Sequence, residues 1–200
     1  MKLGTMCALI LLAGAATLAQ APSPNLVALQ MQASKEYNSG DFAAAARDLV
    51  IVAKSEPKNL GLQRVLAQSL FRSGQYPEAA VHFQTALDLG DAGDPLWRRV
   101  ETDQLVMSLG MSGNVAKAHE VVAAAIARDP DYALNYYNQA CAYAAEGQKA
   151  EALASLKQAL DRRANMIKGE AFPDPRKDDS FQGYLQDADF QKLVAAYGYR

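Results

Sequence analysis

Two histidines and two cysteines are the residues of this 200-residue chain best suited to metal or nucleophilic chemistry. His82 and His119 lie far apart, and neither belongs to an H-E-x-x-H pattern, which places two imidazoles on one helical face. Cys7 and Cys141 lack the close spacing of a zinc or redox pair. Neither a glycine-rich phosphate loop nor a calcium loop is present in the sequence. The sequence therefore predicts no metal site, no cofactor and no catalytic residue.

Paired carboxylates near the C-terminus are the other groups that could carry out chemistry, here general acid–base catalysis. Asp178 and Asp179 form one pair, and Asp187 and Asp189 form another. Both pairs lie in polar stretches, where carboxylates commonly cap helices or face solvent. A Ser–His–Asp triad depends on the fold rather than on sequence spacing. An enzyme or enzyme subunit with its site in residues 161–180 therefore stays open as the least favoured alternative.

The composition indicates a globular, helical protein that does not bind nucleic acid. Half of the residues are apolar and 21% are charged, which is typical of a folded domain. The formal net charge of −2 argues against nucleic-acid binding, which usually needs a clustered basic surface. Alanine is abundant, whereas Val, Ile and Thr are sparse, so helices are favoured over strands.

The first 19 residues have the layout of a secretory signal peptide. Lys2 precedes an apolar run over residues 3–19, and small residues follow it. We predict cleavage before Gln20, a short linker over residues 20–25, and a periplasmic or secreted bacterial protein. The alternative is an uncleaved anchor in the inner membrane, because the run is close to the shortest helix that spans a bilayer. The protein would contact a membrane only in that case.

Four glycines mark a repeating unit in the rest of the chain. They are Gly40, Gly74, Gly113 and Gly147, here called the marker glycines; the first two are as far apart as the last two, and the middle interval is longer by five. The residue five places after each marker is always alanine, the ninth is large and apolar, and the residue seven places before is small or slender. In that order the positions are Ala45, Ala79, Ala118 and Ala152; Leu49, Phe83, Val122 and Leu156; and Ala33, Ala67, Val106 and Ala140.

These spacings predict pairs of helices that meet at the marker glycines. Offsets of five and nine residues lie on one face of a helix and exclude the alternation of a strand. Glycine closes the first helix of each pair in a left-handed conformation. Pro57 and Pro130, which stand at the same offset after their marker glycines, should end two of the second helices. Asp94 and Pro95 form a cap and first-turn proline, so the third pair should begin one turn early.

The repeating unit resembles the tetratricopeptide repeat, a helix-turn-helix unit of about 34 residues. The resemblance covers residues 26–164 and is clearest in LQRVLAQSLFRSGQYPEAAVHFQTAL and YYNQACAYAAEGQKAEALASLKQAL. It implies an all-α fold, a right-handed α-α superhelix with a C-terminal cap helix. We predict units at 26–59, 60–93, 99–132 and 133–166, followed by a linker and capping helices over 165–200. The apolar side of the cap is predicted to comprise Phe181, Leu185, Phe190, Leu193 and Val194.

The resemblance also implies a concave groove, lined by the first helices, that holds an extended peptide or a helix of a partner protein. We therefore predict a non-catalytic interaction module or scaffold of the cell envelope. The alternative is a membrane-anchored assembly factor of envelope or secretion machinery. Arg64 and Arg72 could together bind a carboxylate of the partner. The predicted groove residues are Tyr37, Arg64, Gln68, Phe71, Arg72, Asp103, Gln104, Tyr137 and Asn138.

Overall fold

The computed structural model describes residues 24–90 and 95–199. The predicted signal peptide, most of the linker that follows it, and Asp94 lie outside these residues. Within the described residues all regular structure is helical. The helices are α1 Pro24–Ser39, α2 Phe42–Ser55, α3 Leu60–Arg72, α4 Tyr76–Leu89, α5 Pro95–Met111, α6 Val115–Arg128, α7 Ala133–Ala145, α8 Lys149–Asp161 and α9 Ala188–Ala196, with 3₁₀ turns at Arg163–Asn165 and Asp179–Tyr184.

The first eight helices form four pairs in a row. Each of these helices packs against the next one along the chain. The two helices joined at a marker glycine form a pair, so the pairs are α1 with α2, α3 with α4, α5 with α6, and α7 with α8. The first helices of neighbouring pairs also contact one another, α3 against α5 and α5 against α7. This is the predicted all-α superhelix. Because the first helices of neighbouring pairs approach one another more closely than the second helices do, the first helices lie along its inner face. The boundaries between units stay a prediction, since helix ends do not mark where a repeat begins.

The marker glycines close the first helix of each pair as predicted. All four have φ between +73° and +86°, the left-handed region that glycine adopts without a Cβ clash. The residue after each glycine donates its backbone N–H to the carbonyl five residues earlier, as in Gln75 to Leu70 at 2.9 Å and Gln148 to Tyr143 at 2.9 Å. This bond defines a Schellman motif, which satisfies the last carbonyls of the helix.

The repeated apolar positions form the core. The alanines five residues after the marker glycines are at most 1% exposed, because there the two helices of a pair approach closely. The large residues nine places after the markers are at most 2% exposed and fill the space toward neighbouring pairs. The register read from the sequence is therefore the packing register of the protein.

The predicted helix boundaries at the prolines are also confirmed. Helix α2 ends at Ser55 and helix α6 at Arg128, each two residues before a proline. Helix α5 begins at Pro95, further ahead of its marker glycine than α3 and α7 begin ahead of theirs. The extra length is four residues, which is one helical turn.

The C-terminal segment caps the last pair of helices. Phe181, Phe190 and Val194 are almost completely buried in one cluster with Leu156 and Leu160 of α8. Leu185 and Leu193 are half-buried against the same cluster, so the predicted apolar side of the cap is confirmed. This cluster is separate from the core of the first three pairs. A cap of this kind is needed because the last repeat of a stack would otherwise expose its apolar face.

Candidate binding groove

A cleft of about 430 Å³ lies between α5 and α7, on the inner face of the stack. One wall comes from α5 and the other from α7, and an irregular segment around Pro173 and residues 178–180 closes one end. The wall residues of α5 are spaced three or four apart along one helical face. They are Asp103, Val106, Met107, Gly110 and Met111.

Most of the cleft is apolar. Met107 and Met111 are 41% and 56% exposed, and Leu134 and Ala142 of α7 also line the cleft. Methionine is flexible and polarisable, which suits a surface that must adapt to a ligand. The cleft can therefore take up apolar side chains of a bound molecule.

The end of the cleft near residue 178 is polar and hydrogen-bonded. Asn138 donates its side-chain amide to the Asp103 carboxylate at 2.7 Å. The Tyr137 hydroxyl donates to Asp178 Oδ2 at 2.9 Å, while Asp178 Oδ1 accepts the backbone N–H of Ser180. These bonds join α5 to α7 and α7 to the closing segment, so they fix the shape of this end.

Burial shifts the titration of the groups at this end. It raises the pKa of the Asp103 carboxyl to about 6, and the negative charge of Glu170 adds to the shift, while the hydrogen bond from Asn138 opposes it. Burial also raises the pKa of the Cys141 thiol to about 12, with a further contribution from the charge of Asp178. Cys141 is therefore a thiol at neutral pH and a poor nucleophile.

Three of the predicted groove residues lie in this cleft. Asp103, Tyr137 and Asn138 all line it. Tyr137 and Asn138 are both buried, and their polar side-chain atoms bond to the neighbouring carboxylates of Asp178 and Asp103. That these residues bind a partner stays a prediction.

The two predicted groove arginines have partners inside the chain. Arg64 forms an ion pair with Glu101 of α5, and its guanidinium lies 4.8 Å from the ring centre of Trp97. Arg72 is exposed, and its guanidinium lies 4.2 Å from the ring centre of Phe42. A carboxylate ligand would have to compete with Glu101 for Arg64. The binding role of both arginines stays a prediction.

The remaining predicted groove residues are not among those that line the cleft. Tyr37 and Phe71 are half-buried against the core of the first three pairs. The Tyr37 ring meets Phe42 edge to face at 5.3 Å, and Phe71 meets two aromatic rings of α4 in the same way. Gln68 and Gln104 are partly exposed. The aromatic members of this set therefore contribute to packing within the stack.

Sequence reasoning missed most of the exposed apolar side chains of the first helices. Among the described residues ten large apolar side chains are exposed, and seven of them belong to first helices. The positions of these side chains relative to the marker glycines could have identified them from the sequence. The seven are Val27, Met31, Val65, Leu96, Trp97, Met107 and Met111.

The two histidines lie in different helix pairs, and each bonds to a polar side chain of a neighbouring helix or turn. His82 bonds to Gln63 at 2.7 Å, and His119 bonds to Glu146 at 3.1 Å. Over residues 24–90 and 95–199 no three His, Cys, Asp or Glu side chains are grouped to hold a metal ion. In the same residues no helix has the length and apolar character required to cross a membrane.

Stacked helix pairs closed by glycines and lined inside by their first helices define an α-helical solenoid. The sequence profile of the tetratricopeptide repeat matches residues 31–94 and 104–172, which is more than half of the chain. The protein therefore belongs to the tetratricopeptide repeat family. Domains of this family generally bind protein partners, which makes the chain a protein-interaction scaffold in its general class.

Solved structures with the same fold include two of MamA. One is described as MamA 41-end from Desulfovibrio magneticus RS-1; it is 17% identical, covers 88% of this chain and 92% of its own, and has a TM-score of 0.60. The other is the MamA RS-1 ArsTM double mutant. It is 20% identical, the match covers 88% of this chain and 98% of the mutant's chain, and the TM-score is 0.57. At this identity the likeness shows the fold alone. No curated protein matches the sequence.

Proposed function

We propose that this protein is a non-catalytic scaffold that binds a polypeptide segment of a partner in the cleft between α5 and α7. The observation that carries the proposal is the cleft itself, an apolar cavity of about 430 Å³ on the inner face of the stack. Its volume lies within the range of about 300–1,000 Å³ that is usual for ligand sites. Its walls carry exposed methionines, and its closed end offers fixed polar groups.

The distribution of exposed apolar residues supports binding on the inner face. Folded proteins expose single apolar side chains everywhere, but a concentration on one face is typical of an interaction surface. Here the first helices carry seven of the ten exposed large apolar side chains of the described residues. The second helices carry the other three, Ile51, Val81 and Leu89.

Site-specific photo-cross-linking tests this proposal. A benzophenone amino acid replaces Met107 in one version of the full chain and Val81 of α4 in the other, because both side chains are exposed and apolar. After irradiation in the native cells, position 107 should attach to one defined segment of a partner protein, identified by mass spectrometry. Cross-links to the same segment from position 81, with none from position 107, would place the binding site elsewhere.

We further propose that the protein acts in the bacterial cell envelope. The support is the N-terminal sequence, where Lys2 and the apolar run over residues 3–19 resemble a secretory signal. N-terminal sequencing of the protein from the periplasmic fraction should give a start at or close to Gln20. A start at Met1 in the membrane fraction would instead favour the anchored assembly factor.

A further inference from the structure

The closed end of the cleft is acidic. Asp103, Asp178 and Asp179 line it, and Glu170 is close enough to Asp103 to raise the pKa of its carboxyl. Within the described residues Asp103, Asp178 and Asp179 form no ion pair, whereas Glu170 lies close enough to Arg99 to raise the pKa of that guanidinium. Asp103 and Asp178 accept hydrogen bonds only from neutral donors, Asn138, Tyr137 and a backbone amide.

Three other partly or fully buried carboxylates of the described residues, Glu101, Asp129 and Asp174, each have an arginine beside them. Arg64 pairs with the buried Glu101, Arg99 binds Asp129 with two nitrogens at 2.6 and 3.1 Å, and Arg176 binds Asp174 at 2.8 Å. A partly buried carboxylate without a cation is costly, because burial disfavours the charged form. The cleft therefore retains negative charge that a bound cation would neutralise.

The apolar part of the cleft continues along the same helical ridge. Asp103, Met107 and Met111 are spaced four residues apart on α5, and all three line the cleft. Four residues of helix rise about 6 Å. Alternate side chains of an extended peptide point the same way and are about 6.6 Å apart. An extended segment can thus place every second side chain opposite one of these three residues.

We propose that the segment bound in the cleft is extended and carries a Lys or Arg, followed at alternate positions in either chain direction by two apolar residues. The cation lies at the end formed by Asp103 and Asp178, and the apolar side chains contact Met107 and Met111. This inference rests on the proposed function, because it specifies the ligand of the same cleft. Charge complementarity selects this occupant over an acidic or purely apolar segment.

Selection from a display library of random nonapeptides tests the inference on the full-length protein. Enriched peptides should contain Lys or Arg with apolar residues two and four positions away. The double variant Asp103→Asn, Asp178→Asn should lose the preference for a cation and keep the preference for apolar residues. It should also weaken binding of a synthetic enriched peptide at least tenfold. The matched control is Asp88→Asn, Glu120→Gln, which removes two exposed carboxylates from second helices.

The outcomes separate this inference from the proposed function. Enriched peptides without a cation, or a cation preference that persists in the folded double variant, would overturn the inference and leave groove binding intact. No enrichment on the wild-type protein would count against both. Equal competition by free spermidine would show a site for small amines instead of a peptide. If the double variant does not fold, Asp103→Asn alone serves, because Asn retains an acceptor for Asn138.

Discussion

Asp103 is the residue whose charge is most affected by its position in the cleft. Its carboxyl has a pKa of about 6 in the folded protein against an ordinary value of 3.8. A raised carboxyl pKa means that the folded state holds the proton more tightly than the unfolded state. Asp103 therefore lowers stability progressively as the pH rises from about 4 to above 6, and the full loss is present at higher pH.

Asp103→Asn should remove this loss and keep the hydrogen bond with Asn138. We expect the variant to match the wild type at pH 4 and to be more stable at pH 8 by roughly 1 to 3 kcal/mol. Urea denaturation at both pH values measures the difference. Asp88→Asn, an exposed site on α4, controls for the loss of one negative charge. An Asp103→Asn variant that is no more stable than this control at pH 8 would contradict the buried-charge account.

Arg64 is expected to stabilise the stack whether or not it also binds a partner. Arg64→Ala leaves Glu101, which is 2% exposed, buried without its cation. Removing one partner of a buried ion pair costs about 3–5 kcal/mol. Arg72→Ala removes only an exposed guanidinium stacked on Phe42, worth about 0.5–1 kcal/mol.

Thermal or urea unfolding of the two arginine variants provides the comparison. If both variants lose the same small amount of stability, the Arg64–Glu101 pair does not hold α3 against α5. If Arg64→Ala is strongly destabilised, a loss of partner binding in this variant reflects unfolding as well as the missing contact. Binding roles on α3 are then better tested with Arg72→Ala.

At the scale of the element, the marker glycines end the first helices by their backbone conformation. Gly74 has φ of +78°, and an added Cβ would meet no atom within 4 Å. Gly74→Ala should therefore cost about 1–2 kcal/mol through the left-handed conformation alone. Gly61→Ala is the control, because Gly61 lies inside α3 and its added Cβ makes only an ordinary contact. That change should stabilise the helix by up to about 1 kcal/mol.

Chemical denaturation of these two glycine variants should move their midpoints in opposite directions. A Gly74→Ala protein as stable as Gly61→Ala would mean that the turn tolerates a side chain. The recurrence of glycine at this position would then have no conformational explanation.

The helices and their packing register were predictable because they depend on local spacing. The alanine five residues after each marker glycine and the large residue nine after it are set by helical geometry, so counting along the chain finds them. The early start of α5 followed from Pro95 in the same way. The burial of Phe181 and Phe190 followed from the need to cover the last repeat.

The details of the cleft were not predictable, because they depend on contacts between distant residues. Tyr137 bonds to Asp178 across 41 residues, and Arg64 pairs with Glu101 across 37. Offsets from the marker glycines place Tyr137 and Arg64 on the inner face, yet they carry no information on which carboxylate each one meets. Because the sequence does not reveal the contact with Glu101, we expected Arg64 to be available to a ligand.

At the scale of the whole molecule, the stack divides near the cleft. One core cluster extends over the first three helix pairs, and a second includes α7, α8 and the cap. The cleft lies between α5 and α7, which belong to different clusters, and the closing segment around residues 173–180 is tied to the second. The binding surface that we propose thus lies where the two core clusters of the solenoid meet.

Filling the cleft without disturbing the fold tests the central claim most directly. Gly110 lines the cleft within α5, and an added Cβ would meet no atom within 4 Å. Gly110→Leu should therefore leave stability unchanged or slightly raised, since Leu favours helix over Gly. The control is Ala124→Leu, which places the same side chain at an exposed position on α6.

The measurement is calorimetric titration of each variant with a synthetic peptide of the partner segment that cross-links at position 107. Gly110→Leu should weaken binding at least tenfold, while Ala124→Leu binds like the wild type. A folded Gly110→Leu protein that binds with wild-type affinity would contradict the account, because the cleft between α5 and α7 would then not be the binding site.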